Sequence, residues 1–273
     1  MSSRGKLALP LSTLLTLILS TLLAASSFAS PADDLLQLQQ MRLAAQKSLS
    51  DFYMYNAMEG DQRYARMIND AAQRAQTRLE GLAAQPGEVA KALQGKLQQQ
   101  WQDYRDRLQQ LMATMQKQGF TDLQPIAALA KSNERLMELS QELYQTIQQE
   151  SGQNVPTLTQ RSREQSLLMQ NIALDYASRS ASIGGSFFGG GEERAIDEQV
   201  REFASGLDAL AQAPQNTPEI TTAIGNIVTK FRYIEKSLLN YNQNTVPFLI
   251  NKYSDSIIDG LEEVAALYAA HQL

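Results

Sequence analysis

The sequence predicts an all-α fold, arranged as two tandem antiparallel up-down four-helix bundles. Three observations lead there. Apolar residues recur three and four apart over long stretches, the period of helices packed on one face, and no stretch alternates apolar with polar residues as a strand would. Gly, Pro and Asn/Asp clusters fall at the ends of these stretches, where helices stop and start. The second half of the chain repeats the order of features in the first.

The first thirty residues are set apart. Arg4 and Lys6 form a short basic region, Leu7–Ala25 is largely apolar, and Ser27-Phe28-Ala29 places small residues before a cleavage point. This is the pattern of an export signal over residues 1–29, cut after Ala29. An uncleaved anchor helix is the alternative, since the apolar run nears bilayer-spanning length. Both readings place the remainder outside the cytoplasm, in a periplasm. No Cys occurs in the chain, so no disulfide staples it and stability must come from packing.

The helical segments follow in order. Leu35, Leu38, Met41, Ala45, Leu49 and Phe52 make the first stripe, which breaks at Glu59-Gly60-Asp61. A second segment ends at Gln85-Pro86-Gly87. Leu93, Leu97, Trp101, Tyr104, Leu108 and Leu111 stripe the third, which stops at Gly119. The fourth restarts at Thr121-Asp122 and carries Leu129, Leu136, Met137, Leu143 and Ile147. Ser151–Pro156 is the clearest linker. Pro156 opposes one unbroken helix across it, because proline lacks the N–H donor and clashes with the preceding turn. The Ile183–Glu193 stretch IGGSFFGGGEE, then Pro214–Pro218 and Asn242–Pro247, divide the rest into four segments more. The expected modules are therefore 30–152 and 157–273.

Comparing the halves supports duplication. Leu43-Ala44-Ala45-Gln46 falls on Leu167-Leu168-Met169-Gln170 and Phe52 on Tyr176. Leu79 and Leu82 fall on Leu207 and Leu210, and Met137 and Leu143-Tyr144 on Leu261 and Leu267-Tyr268. Short connections make neighbouring helices antiparallel, which gives a four-helix bundle for each half.

Little in the sequence offers catalysis. The single histidine, His271, stands near the C-terminus, where fraying disfavours a His-dependent triad, and His/Cys metal sets are excluded by count. Adjacent carboxylates such as Glu192-Glu193 and Glu262-Glu263 point in different directions on a helix. The expectation is a protein that is not an enzyme, with no cofactor and no metal. A net charge of −5, more negative without the basic leader, disfavours nucleic acid as a partner.

IGGSFFGGGEE is not a phosphate loop, since it lacks a preceding strand and a Lys, and Glu192 and Glu193 would repel phosphate. It aligns with the turn Asn56–Asp61 and reads as a lengthened version of it. Phe187 and Phe188 either fold over the bundle end or form an exposed contact with a partner. On the first helix, Arg42 and Gln46 are one turn apart and share a face bordered by Leu38, Met41 and Ala45. An arginine at a bundle seam is a candidate anion site, because its planar fork matches carboxylate or nitrate oxygens. The competing reading has Arg42 reaching solvent or pairing with an acid.

The stretch Arg163–Ala173, REQSLLMQNIA, resembles the first-helix pattern GRQRMLSQRIA of the sensory domain of type IV pilus methyl-accepting chemotaxis transducers (the PilJ type), a family related to the periplasmic sensors of nitrate/nitrite kinases. Gln165, Leu168, Gln170, Ile172 and Ala173 match. Pro247–Asp255, with Leu261 and Leu267-Tyr268, is similar to the family's last helix. The resemblance covers most of Thr157–Leu273 and extends faintly over Asp33–Glu150. It implies bundles that sense a small ligand or a partner outside the inner membrane. In the nitrate sensors an arginine on paired first helices binds the anion; by position Arg42 matches it. Ser166 and Glu164 stand at the arginine positions of the second half, which speaks against anion binding there. The expected function is thus a non-catalytic periplasmic protein that binds a small ligand, an anion at Arg42 and Gln46, or a membrane-bound sensor. The alternative is an adaptor that binds an envelope or pilus component through helical surfaces.

Overall fold

A computed structural model describes residues 30–181, 195–243 and 245–273. The fold is all-α. The described residues form α1 (Pro31–Ala57), α2 (Gln62–Glu80), α3 (Glu88–Gln118), α4 (Leu123–Ser151), α5 (Thr157–Ala181), α6 (Ile196–Ala211), α7 (Pro218–Leu239) and α8 (Pro247–Ala270), with no strand among them. Phe187 and Phe188, and the rest of the Ile183–Glu193 stretch, lie outside the described residues.

Local chemistry accounts for the helix ends. Ser30 caps α1 in a reciprocal box: its Oγ accepts from the Asp33 N–H at 3.2 Å, and Asp33 Oδ2 accepts from the Ser30 N–H at 3.0 Å. Asp61 caps α2 by accepting from the Arg63 N–H at 2.8 Å. Proline occupies the first turn of α1, α7 and α8, where its missing donor costs nothing. Helices α3 and α4 stop at Gly119 and Gly152, whose φ values of 78° and 66° are left-handed and favour glycine. The linker interrupts the path after α4, as the proline predicts, and α5 begins directly after Pro156.

Helices α1–α4 contribute most of one apolar cluster, which holds Phe52, Tyr55, Trp101 and Tyr104. Helices α5–α8 contribute most of a second, which holds Tyr176, Phe203, Phe231 and Tyr268. The clusters touch through α1 and α5, which run parallel. Gln39 reaches Arg163 and Ser166, and one stretch further along Gln46 reaches Asn171. The expected stripe on α1 is buried, but α1 is not a one-sided helix: every residue from Leu43 to Tyr55 is buried. Contacts from α2, α4 and α5 surround it, so its polar face becomes a second interior rather than a solvated one.

Candidate functional site

Because α1 is enclosed, its polar side chains must find partners inside the protein or pay for desolvation. Two cavities flank the α1–α5 seam and collect them. They lie against opposite faces of α1, since Arg42, Gln46 and Tyr53 line one and Leu43 and Lys47 the other.

The first cavity, about 420 Å³, lies between α1, α4 and α5. Arg42 and Gln46 both line it, so the structure brings together the two residues singled out by spacing. Arg42 is largely buried, and burial is the main cause that brings its guanidinium down to about 10, with Tyr144 opposing the shift. It stays cationic at neutral pH. Among the described residues it has no ion-pair partner, and its Nε is buried without a hydrogen-bond acceptor. It therefore pairs with no acid among the described residues, and the side chain is only partly exposed. Gln46 donates through Nε2 to Asn171 Oδ1, while its Oε1 has no donor.

The acids near this cavity do not neutralise Arg42. Glu134 and Glu138 are exposed on its rim, and Glu138 is held by Arg135 at 2.8 Å. Asp175 is pushed up to about 6, chiefly by burial, against a 2.6 Å hydrogen bond from Gln199 and the charge of Arg179. Desolvation thus weakens the one buried acid on the wall, while the buried arginine keeps its charge.

The second cavity, about 450 Å³, lies between α1 and α2 on one side and α5 and α8 on the other. Lys47, which lines it, sits 2.6 Å from Asp51 Oδ1, 2.9 Å from Asn251 Oδ1 and 3.0 Å from Asp255 Oδ2. Burial pushes the Asp51 carboxyl up to about 6 despite Lys47, with Asp255 adding to the shift and Asn251 opposing it. Next to this cluster, Gln39 Nε2 donates to the Arg163 carbonyl at 3.0 Å and to Ser166 Oγ at 3.1 Å. Ser166 Oγ in turn lies 2.5 Å from Glu262 Oε1. Ser166 is thus a buried seam residue bound to an acid.

Sequence reading did not find the Lys47–Asp51–Asn251–Asp255 cluster. Lys47 and Asp51 are spaced one turn apart, and Asp51 directly precedes the apolar run Phe52–Tyr55, so half the signal was present. The α8 partners carry no local mark. Among the described residues no group of three or more His, Cys, Asp or Glu is placed to hold a metal, and no described helix is long and apolar enough to cross a membrane. No family model matches the chain, and neither a curated protein nor a solved structure shows significant similarity to it.

Proposed function

We propose that the chain is an exported, non-catalytic protein that binds a small anion in the cavity between α1, α4 and α5. The observation that carries this is Arg42: a largely buried arginine whose Nε has no acceptor, without an ion-pair partner among the described residues, on the wall of a cavity of about 420 Å³. An uncompensated buried charge is costly, and an incoming carboxylate or nitrate-like anion removes the cost. The fork of Arg42 would grip two oxygens, with Gln46 orienting the ligand from the next turn of α1 and Asn171 from α5.

The architecture proposed with it is two antiparallel four-helix bundles, 30–152 and 157–273, descended from one duplicated sensor-like module of the PilJ type. Two features support the duplication. Leu43 and Gln46 align with Leu167 and Gln170, and the aligned residues border the two cavities in exchanged roles. The seam between parallel first helices is also where such a module would report occupancy, through a shift of α1 against α5. The periplasm, after removal of residues 1–29, is the proposed compartment, and a membrane-bound sensor would be the receiver.

Thermal-shift measurements with nitrate, nitrite and small carboxylates test the anion site. The melting temperature should rise with one of them, Arg42→Ala should abolish the rise, and Arg42→Lys should restore only part of it. If no anion shifts the transition, the proposal is wrong.

A second reading is an adaptor that binds an envelope or pilus component. Exposed aromatics favour it: Tyr233 is 60% and Phe248 56% exposed, and Tyr233 stacks on Tyr253 with ring centroids 4.8 Å apart. Replacing Phe187 and Phe188 with Ser should then weaken partner capture without moving the melting temperature.

A further inference from the structure

The second cavity carries a different chemistry from the first. Its walls are charged with opposite sign. Arg74 and Arg78 stand one turn apart on α2, and Asp255, Asp259 and Glu262 follow one another along a face of α8. Lys47 at its base is already neutralised by Asp51 and Asp255. Among the described residues no ion pair joins the α2 arginines to the α8 acids, although both line one space of about 450 Å³. Arg78 instead makes only a long contact, 3.4 Å, to Gln37.

A buried polar group points to the same space. Gln170 lines the cavity, is 2% exposed, and its Nε2 has no acceptor. Orphaned buried donors are rare in folded proteins, and one on a cavity wall marks where an acceptor belongs. Leu43 and Ile258 supply apolar contact between the charged walls. The volume falls within the range of small-molecule sites, roughly 300–1,000 Å³.

We infer that the cavity between α1, α2, α5 and α8 is a binding site for a zwitterion of the free amino-acid class. The carboxylate of such a ligand faces Arg74 and Arg78 and accepts from Gln170, while its ammonium faces Asp259 and Glu262. A dianion would be repelled by the α8 wall and a diamine by the α2 wall. Only a ligand bearing both charges answers both walls. The site does not depend on Arg42, which lines the other cavity.

The test is a thermal-shift screen of the full chain carrying Arg42→Ala, so that small carboxylates do not register at the other cavity, against the standard free amino acids, with glutarate and putrescine as single-sign controls, followed by calorimetric titration of the best ligand on this variant and on the native chain. At least one amino acid should bind and both controls should fail. Asp259→Asn and Arg74→Gln change exposed side chains, so both variants should fold and each should weaken binding at least about tenfold. Arg42→Ala should leave this affinity unchanged, which separates failure here from failure of the anion site. The inference is overturned if no amino acid binds, if glutarate or putrescine binds as well, or if both variants bind like the native chain.

Discussion

At the scale of the residue, the seam between α1 and α5 holds charge where packing alone would place none. Arg42 is the clearest case. A buried guanidinium without a counter-charge destabilises the empty protein, so Arg42→Ala should unfold at an equal or higher melting temperature than the native chain while losing any anion response. Carboxyls at the same depth impose a pH dependence. Asp51 and Asp175 are each raised to about 6, and Asp255 and Glu262 are raised as well, all mainly by burial. A raised acid binds its proton more tightly in the folded state than in the unfolded one. Its stabilisation is therefore complete below the unfolded value near 4 and is lost as pH rises through about 6. The melting temperature should accordingly fall between pH 4.5 and pH 7, and Asp51→Asn should flatten part of that slope; differential scanning calorimetry across this range measures both.

At the scale of the element, α1 sets the character of the molecule. Its stripe was legible because Leu35, Leu38, Met41, Ala45, Leu49 and Phe52 recur at helical spacing, and all are buried. The burial of Gln46, Lys47, Ser48 and Asp51 was not legible, since polar and charged side chains normally face water. Neighbours from both halves of the chain decide it. Inside the first cluster, Tyr104 of α3 places its hydroxyl 2.7 Å from Ser48 Oγ, and Asn133 of α4 approaches the Ala45 carbonyl at 3.4 Å. Helix α1 is thus held by apolar and polar contacts at once. Phe52→Ala, which empties a fully buried site on this helix, should cost about 3–5 kcal/mol in urea unfolding. Tyr104→Phe should cost about 1 kcal/mol, because Ser48 retains the Ala45 carbonyl at 2.7 Å.

At the scale of the whole molecule, the two apolar clusters are joined rather than strung on a linker. Gln39 reaches Ser166 and Glu262, and Lys47 reaches Asn251 and Asp255, so polar contacts made by α1 belong to both halves. Breaking the seam would strand buried polar groups on each side, which opposes independent unfolding. The single tryptophan, Trp101, lies in the first cluster and reports that half alone, whereas helical ellipticity reports both. Urea unfolding followed by the two signals should give coincident curves. A tryptophan transition that precedes or trails part of the ellipticity loss would show that the halves unfold separately.

The sequence by itself determined the helical class, the element boundaries and the apolar stripes, because periodicity, proline, glycine and caps are local properties of the chain. It also marked Arg42 and Gln46 as neighbours on one face, since helical spacing is local too. Only the tertiary structure decided what those faces meet. The parallel approach of α1 and α5 turned a polar face into a buried seam, joined Lys47 to Asn251 and Asp255 across more than half the chain, and divided opposite charges between α2 and α8 around one cavity. Those pairings depend on how helices distant in sequence pack together, and no local pattern of residues encodes them.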